Sequence, residues 1–255
     1  MKVLSYFVSL LLFLLIWQVA AQFDWINVVF FPSPASIFYR AYELLFLEHS
    51  LRVHLIASFT RYFWGAIIAI PLAILMALLI ELNSFMKYFF KPLIALSFPI
   101  PKLALFPILM IFFGIGETPK ILLIAIGIFY LLLFHALIGF QNIRNSEQYL
   151  LVKIYKISLW TQIRYLLLRG AAIEILAGMQ SGLSYGLVML VAAEMNATNF
   201  GIGHFIWSSW DSFRIQDLYL AFFLIAIWGG LIFAFFEVFL CLLRQRRRSG
   251  QLNKN

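Results

Sequence analysis

Charge is what this sequence has least of. Only 12% of its 255 residues are charged while 64% are hydrophobic, against about a quarter charged and about half apolar in soluble domains. A soluble fold of this size cannot hide so much apolar surface, which excludes a soluble enzyme or binding module. Cysteine is nearly missing as well. The single Cys241 excludes an intrachain disulfide, leaves the redox compartment open and reads as lipid-facing filler in the last apolar run. No GxxxxGK[ST], HExxH, GxSxG or paired-cysteine spacing occurs. No ATPase motif, no catalytic residue and no metal site is therefore expected in this chain. The four histidines, His49, His54, His135 and His204, are widely separated along the chain and read as structural or interfacial.

What is present is a series of long apolar runs. A transmembrane helix takes roughly 20 apolar residues, so the chain has room for about six crossings in one membrane domain, 1–255. The first run, Val3 to Ala21, ends in Val19-Ala20-Ala21-Gln22, which fits an uncleaved helix and also a signal-peptide cleavage site. A polar segment from Pro32 to His54 follows. The second span is expected from Val53 to Leu82, the third from Lys91 to Gly114, the fourth from Thr118 to Phe140, the fifth from Ala171 to Met195 and the sixth from Leu218 to Leu243. Pro99, Pro101 and Pro107 should break or kink the third, because proline removes a backbone donor. Residues 141–169 are too basic to cross and read as a cytoplasmic helical excursion; 244–255 form a basic cytoplasmic tail.

The net charge of +8 would point to nucleic acid in a soluble protein. Here the basic residues sit between apolar runs. With both termini inside, Lys2, Lys87, Lys91, the stretch from Arg144 to Arg169 and the tail face the cytoplasm, and only Arg40, Arg52, Arg61, Lys120 and Arg214 lie outside. The positive-inside rule accounts for that asymmetry, and no nucleic-acid partner is expected.

On the fifth span Gly178, Gly182 and Gly186 recur at four-residue spacing and make a smooth stripe for close helix packing. Gln180, Ser184, Leu187, Val191 and Glu194 share a different face, so Gln180, Ser184 and Glu194 are candidates to line a translocation pathway. Glu194 is either that or a structural hydrogen-bond acceptor at the outer interface. Lys102, among the prolines, either lies near an interrupted helix start on the pathway or snorkels to an interface. Glu81, Glu174 and Glu237 fall near inner span ends, and Asp211 and Asp217 in an outer loop; solvation is their ordinary explanation. In the basic segment Leu150, Leu151, Ile154 and Ile157 form an apolar stripe flanked by Lys153 and Lys156, suited to a groove on a partner or to the membrane interface.

Several blocks, in order, carry a family resemblance: Pro32-Ser33-Pro34; His54 to Arg61, leading into Gly65; Pro99-Ile100-Pro101-Lys102-Leu103-Ala104-Leu105-Phe106-Pro107; Phe113-Gly114-Ile115-Gly116-Glu117-Thr118-Pro119-Lys120; and Ala193-Glu194-Met195 joined to Gly201-Ile202-Gly203. The chain resembles the binding-protein-dependent ABC importer permeases, in the branch that handles sulfonates, taurine, nitrate and thiamine-precursor pyrimidines. The resemblance implies an all-α, polytopic type I importer fold in the bacterial inner membrane. It also implies a second permease subunit, homodimeric or heterodimeric, two cytoplasmic ATPase subunits that bind ATP and Mg, and a soluble substrate-binding protein.

Family members carry a cytoplasmic Glu-Ala-Ala motif, a glycine six residues after the Glu, and an apolar-Leu-Pro ending. Here Leu150-Leu151-Val152 stand at Glu-Ala-Ala, Lys156 at the glycine and Arg169 at the proline. Lys156 takes a left-handed conformation less cheaply than glycine, so the turn is expected to be altered. The ATPase has drifted in step, or the subunit pairs with a better-coupled partner, or it is a degenerate copy. The competing classes are a polytopic membrane enzyme, for which no cluster of acid, base or metal groups is found, and a non-transporting scaffold.

Overall fold

The computed structural model describes the backbone of residues 2–196 and 198–252, and the side chains of residues 8–147, 149–152, 154–196 and 198–243. The described residues form helices and no strands: α1 (Lys2–Gln22), α2 (Pro34–Tyr42), α3 (Ser50–Leu82), α4 (Ser84–Ser97), α5 (Phe106–Phe113), α6 (Glu117–Arg144), α7 (Glu147–Ile154), α8 (Leu159–Thr161), α9 (Leu168–Gly170), α10 (Ala172–Met195), α11 (Ile202–Asp211) and α12 (Ile215–Leu252). Local chemistry sets several of the starts. Ser33 accepts the Ser36 N–H and places Pro34 in the first turn of α2, and Asn83 accepts the N–H groups of Phe85 and Met86 to start α4. Helix α6 opens with Glu117 and closes with Arg144, charges that match the two ends of its dipole.

Helices α3, α6, α10 and the Ile215–Leu243 part of α12 are long and apolar enough to cross a membrane. The expected third span is present as a broken one: α4 and the stretch Lys102–Phe113 meet at 100° across the break. Against the six crossings expected, four helices qualify as spans among the described residues, or five with the bent pair counted as one. The 21 residues of α1 reach about 31 Å, while its described apolar stretch, Val8–Gln22, is shorter than a full crossing.

The chain packs as two units, Met1–Phe59 with Glu194–Ile227, and Thr60–Ala193 with Trp228–Asn255. In the first, Trp17 of α1 stacks on Phe223 of α12 with centroids 5.8 Å apart. The same unit holds Arg40, whose Nε donates to Asp217 at 2.8 Å while Nη1 donates to Glu43 and Glu48 at 3.0 Å. The Asp217 hydrogen bond leads in raising the Arg40 pKa above its already high ordinary value. Asp217 is only 2% exposed, so the expectation of a solvated loop carboxylate is corrected: it joins α2 to the first turn of α12.

In the second unit Ala73 and Ala77 of α3 meet Leu132, Leu133, Ala136 and Phe140 of α6, with Leu167, Ala171 and Ile175 completing the cluster. Half of the apolar window of α6 is buried against 11% of that of α12, so α6 is the most buried of the candidate spans and α12 the most exposed. The stripe on α10 lies against α6. A Cβ on Gly178 would stand 2.6 Å from the His135 Cβ, one on Gly182 2.8 Å from the Ile128 carbonyl oxygen, and one on Gly186 2.6 Å from the Ile128 Cγ1. Gly127 of α6 returns the arrangement, its missing Cβ filled by Met189. Glu81 corrects a second expectation of solvation. It is 2% exposed and is held by Lys87 at 3.1 Å and by Arg144, which tie the end of α3, the start of α4 and the end of α6 together.

Candidate functional site

Glu194, in the last turn of α10, carries a carboxylate that is fully buried. Ser58 of α3 donates to it at 2.7 Å, and the same hydroxyl accepts the Ile202 N–H at 2.8 Å. The Gly203 N–H donates directly to the carboxylate at 3.0 Å. Both amides belong to the first turn of α11, where orphan donors and the helix dipole favour an anion. Glu194 is therefore an N-terminal cap supplied by the preceding helix, partly through Ser58. Gly201, with φ of 129°, brings its Cα against the carboxylate, and its N–H donates to Nδ1 of His54 at 3.1 Å. His54 in turn stacks on His204 with ring centroids 6.0 Å apart, so two histidines read as separate come together.

Lys102 sits in the break of the third span. Its ammonium donates to the carbonyls of Ser97, Phe98 and Ile100 and lies 4.1 Å from the Tyr130 ring centroid. It is 7% exposed, so it neither snorkels nor stands open; it occupies acceptors that the interrupted helix leaves behind. A second ionic cluster was missed by sequence reasoning. Arg61 and Lys120, counted as outside loop charges, are buried and converge on Glu117: the Arg61 Nη2 donates at 2.9 Å, its Nε donates as well, and Lys120 donates at 3.0 Å. The available signal was Glu117-Thr118-Pro119-Lys120, an acid and a base three residues apart at a helix start, together with an arginine inside an apolar run.

The pathway candidates do not form one cluster. Gln180 donates to the Phe233 carbonyl of α12 at 3.3 Å, Ser184 is half-buried one turn further on, and Glu194 lies about 21 Å along the helix from Gln180.

The basic segment forms a helix–turn–helix. Helix α7 ends with the Ile157 N–H bonded to the Val152 carbonyl at 3.2 Å and with Lys156 at φ of 48°, a Schellman closure with lysine in the left-handed position that usually takes glycine. Ser158 then caps α8. The expectation of an altered turn is corrected: the left-handed residue is kept where the resemblance places glycine, because the hydrogen bond and the buried Val152 hold it there. Leu150, Leu151 and Ile154 are all more than half exposed, Ile154 at 70%, with Tyr155, Leu159 and Trp160 exposed beside them. The Lys153 side chain and those of the basic tail lie outside the described residues. Lys156→Gly should relieve left-handed strain of about 1 kcal/mol and slow hydrogen exchange of the Ile157 amide roughly fivefold. Unchanged or faster exchange would show that the lysine is not strained.

Residues 69–249 match the family of binding-protein-dependent transport system inner membrane components. The chain is 32% identical over 221 residues to the taurine transport system permease protein of Escherichia coli (strain K12), covering 84% of this chain and 78% of that one. It is 24% identical to a putative aliphatic sulfonates transport permease protein of Bacillus subtilis (strain 168), covering 86% and 79% of the two chains. It is 26% identical to the nitrate import permease protein of Synechocystis sp. (strain ATCC 27184 / PCC 6803 / Kazusa), covering 91% and 86%. These relatives are transport permeases rather than enzymes, and the match over residues 69–249 takes in the broken third span, the glycine stripe, the helix–turn–helix and Glu194 with Gly201. The chain belongs to the family of inner membrane components of binding-protein-dependent transport systems.

Proposed function

We propose that this chain is the membrane-spanning half of an ATP-driven importer for a small oxyanion, coupled through α7 and α8 to a cytoplasmic ATPase. The observation that carries this reading is the exposed apolar face of Leu150, Leu151 and Ile154 on a short, sharply closed helix in a basic segment too charged to cross the membrane. Such a face fits a groove on a soluble partner, and the Schellman turn holds it at a set angle to α8. Taurine, aliphatic sulfonates and nitrate, the solutes in the relatives' names, share an oxyanion group, which supports the substrate class.

The mechanism is alternating access. ATP and Mg, bound by the ATPase subunits, close those subunits, draw the coupling helices of two permease subunits together and switch a pathway at the permease interface from inward- to outward-facing. A soluble binding protein delivers the solute at the outer face, and both termini lie in the cytoplasm, in keeping with the basic residues of 141–169 and of the tail. Gln180 and Ser184 line the pathway, while the contacts of Glu194 and Lys102 give those residues the holding of α11 and of the broken span.

Leu151→Asp and Ile154→Asp place an unpaired charge in the docking face, which should weaken association with the ATPase about 100-fold or more and abolish vesicle uptake. Membrane insertion should be unchanged. An Asp variant that co-purified with its ATPase and transported at the normal rate would remove α7 as the coupling element.

A further inference from the structure

A cleft of about 370 Å³ opens between α3, α4 and α6, and its two ends differ in chemistry. Lys87, Lys91 and Gln141 line one end; Phe98 and Phe134, with ring centroids 6.2 Å apart, line the other. Lys91 and Phe98 are about 10 Å apart along α4, as are Gln141 and Phe134 along α6, so the two helices present matching polar and apolar ends. At the polar end Glu81 is shared by Lys87 and Arg144. Lys91 is exposed and has no hydrogen-bond or ion-pair partner among the described residues. That end thus carries Lys87 and Lys91, with Glu81 shared between Lys87 and Arg144 and no carboxylate paired with Lys91 among the described residues.

We propose that this cleft holds an acidic phospholipid, its phosphodiester against Lys91 and Lys87 and one acyl chain between Ile94 and Leu137 toward the two phenylalanines. Charge complementarity and the shape of the cleft select this occupant. A small soluble anion would satisfy Lys91 but leave about 10 Å of apolar wall uncovered, and a zwitterionic lipid would fill that wall without the net charge the lysines favour. The proposal is independent of which solute the permease moves.

The test uses the full chain in nanodiscs made of equal parts phosphatidylglycerol and phosphatidylcholine, released into detergent and weighed by native mass spectrometry. The wild type should retain phosphatidylglycerol in preference to phosphatidylcholine. Lys91→Gln, a change at an exposed position that leaves the packing untouched, should lower that preference about fivefold, the worth of one lysine at a charged membrane surface. Ala95→Trp, which fills the cleft wall, should reduce retention of both lipids. Equal retention of the two lipids by the wild type, or a preference unchanged by Lys91→Gln, would overturn the proposal. So would displacement of the bound lipid by millimolar taurine or nitrate, since the cleft would then belong to the solute.

Discussion

Replacing Gly201 with alanine is expected to unfold the turn between α10 and α11 and to lower the stability of the whole chain by roughly 3 kcal/mol or more. Two independent costs meet at this position. Its φ of 129° lies where only glycine is at ease, so any side chain strains the backbone. The added Cβ would also stand 2.4 Å from the Glu194 carboxyl carbon, and that carboxylate cannot step aside without releasing Ser58 and the Gly203 N–H. The variant should lose thermal stability in detergent and expose the Asn199 backbone to protease. Glu194→Gln separates cap from charge: it keeps an acceptor but gives up the attraction to the helix dipole, and should cost about 1 kcal/mol. A Gly201→Ala protein with wild-type melting would mean that the cap is dispensable.

The second large effect is expected from Gly182→Leu. Where Gly178 and Gly186 face side chains, Gly182 faces the backbone carbonyl of Ile128, and its Cβ alone would stand 2.8 Å from that oxygen. Side chains can rotate; a carbonyl inside a helix cannot move without its hydrogen bond. The leucine must therefore push α10 away from α6, stripping contacts from Ile128 and Leu190, both buried in one cluster, at a cost of about 3 kcal/mol or more. Gly182→Ala should show most of the loss and Gly186→Ala less of it, since the Ile128 side chain can rotate, whereas the Cβ that Gly178 faces on His135 is fixed to its own backbone. Equal melting temperatures for all three variants, read by intrinsic fluorescence in detergent, would show that this contact carries no stability.

The apolar runs, the broken third span and the small-residue stripe were legible in the sequence because each is local: run length, proline and four-residue spacing are written within one helix. The fates of the ionisable groups were not, because they depend on partners far along the chain. Asp217 looked like a loop acid until Arg40, 177 residues away, came to meet it. Ser58 and Glu194 are 136 residues apart. Glu81 finds Lys87 only because Asn83 ends one helix and starts the next, turning α4 back toward α3. At Lys156 sequence reasoning named the position correctly and misjudged the outcome. The left-handed cost of a single residue is about 1 kcal/mol, less than the loss of the Schellman hydrogen bond together with the packing of Val152.

Lys102 changes how the bent crossing can behave in a working cycle. A helix broken by prolines is ordinarily a place to flex, since carbonyls freed at the break have no donors to hold them. Here one ammonium stitches Ser97, Phe98 and Ile100 together and rests on the Tyr130 ring, while the Tyr130 hydroxyl donates to Ile94. Opening the corner would strand a cation away from water and unpair several acceptors at once, a cost of several kcal/mol. The corner is welded. Whatever motion carries a solute across, α4 and α5 travel as one rigid elbow, and the hinges of the cycle must be sought in the connections on either side of it.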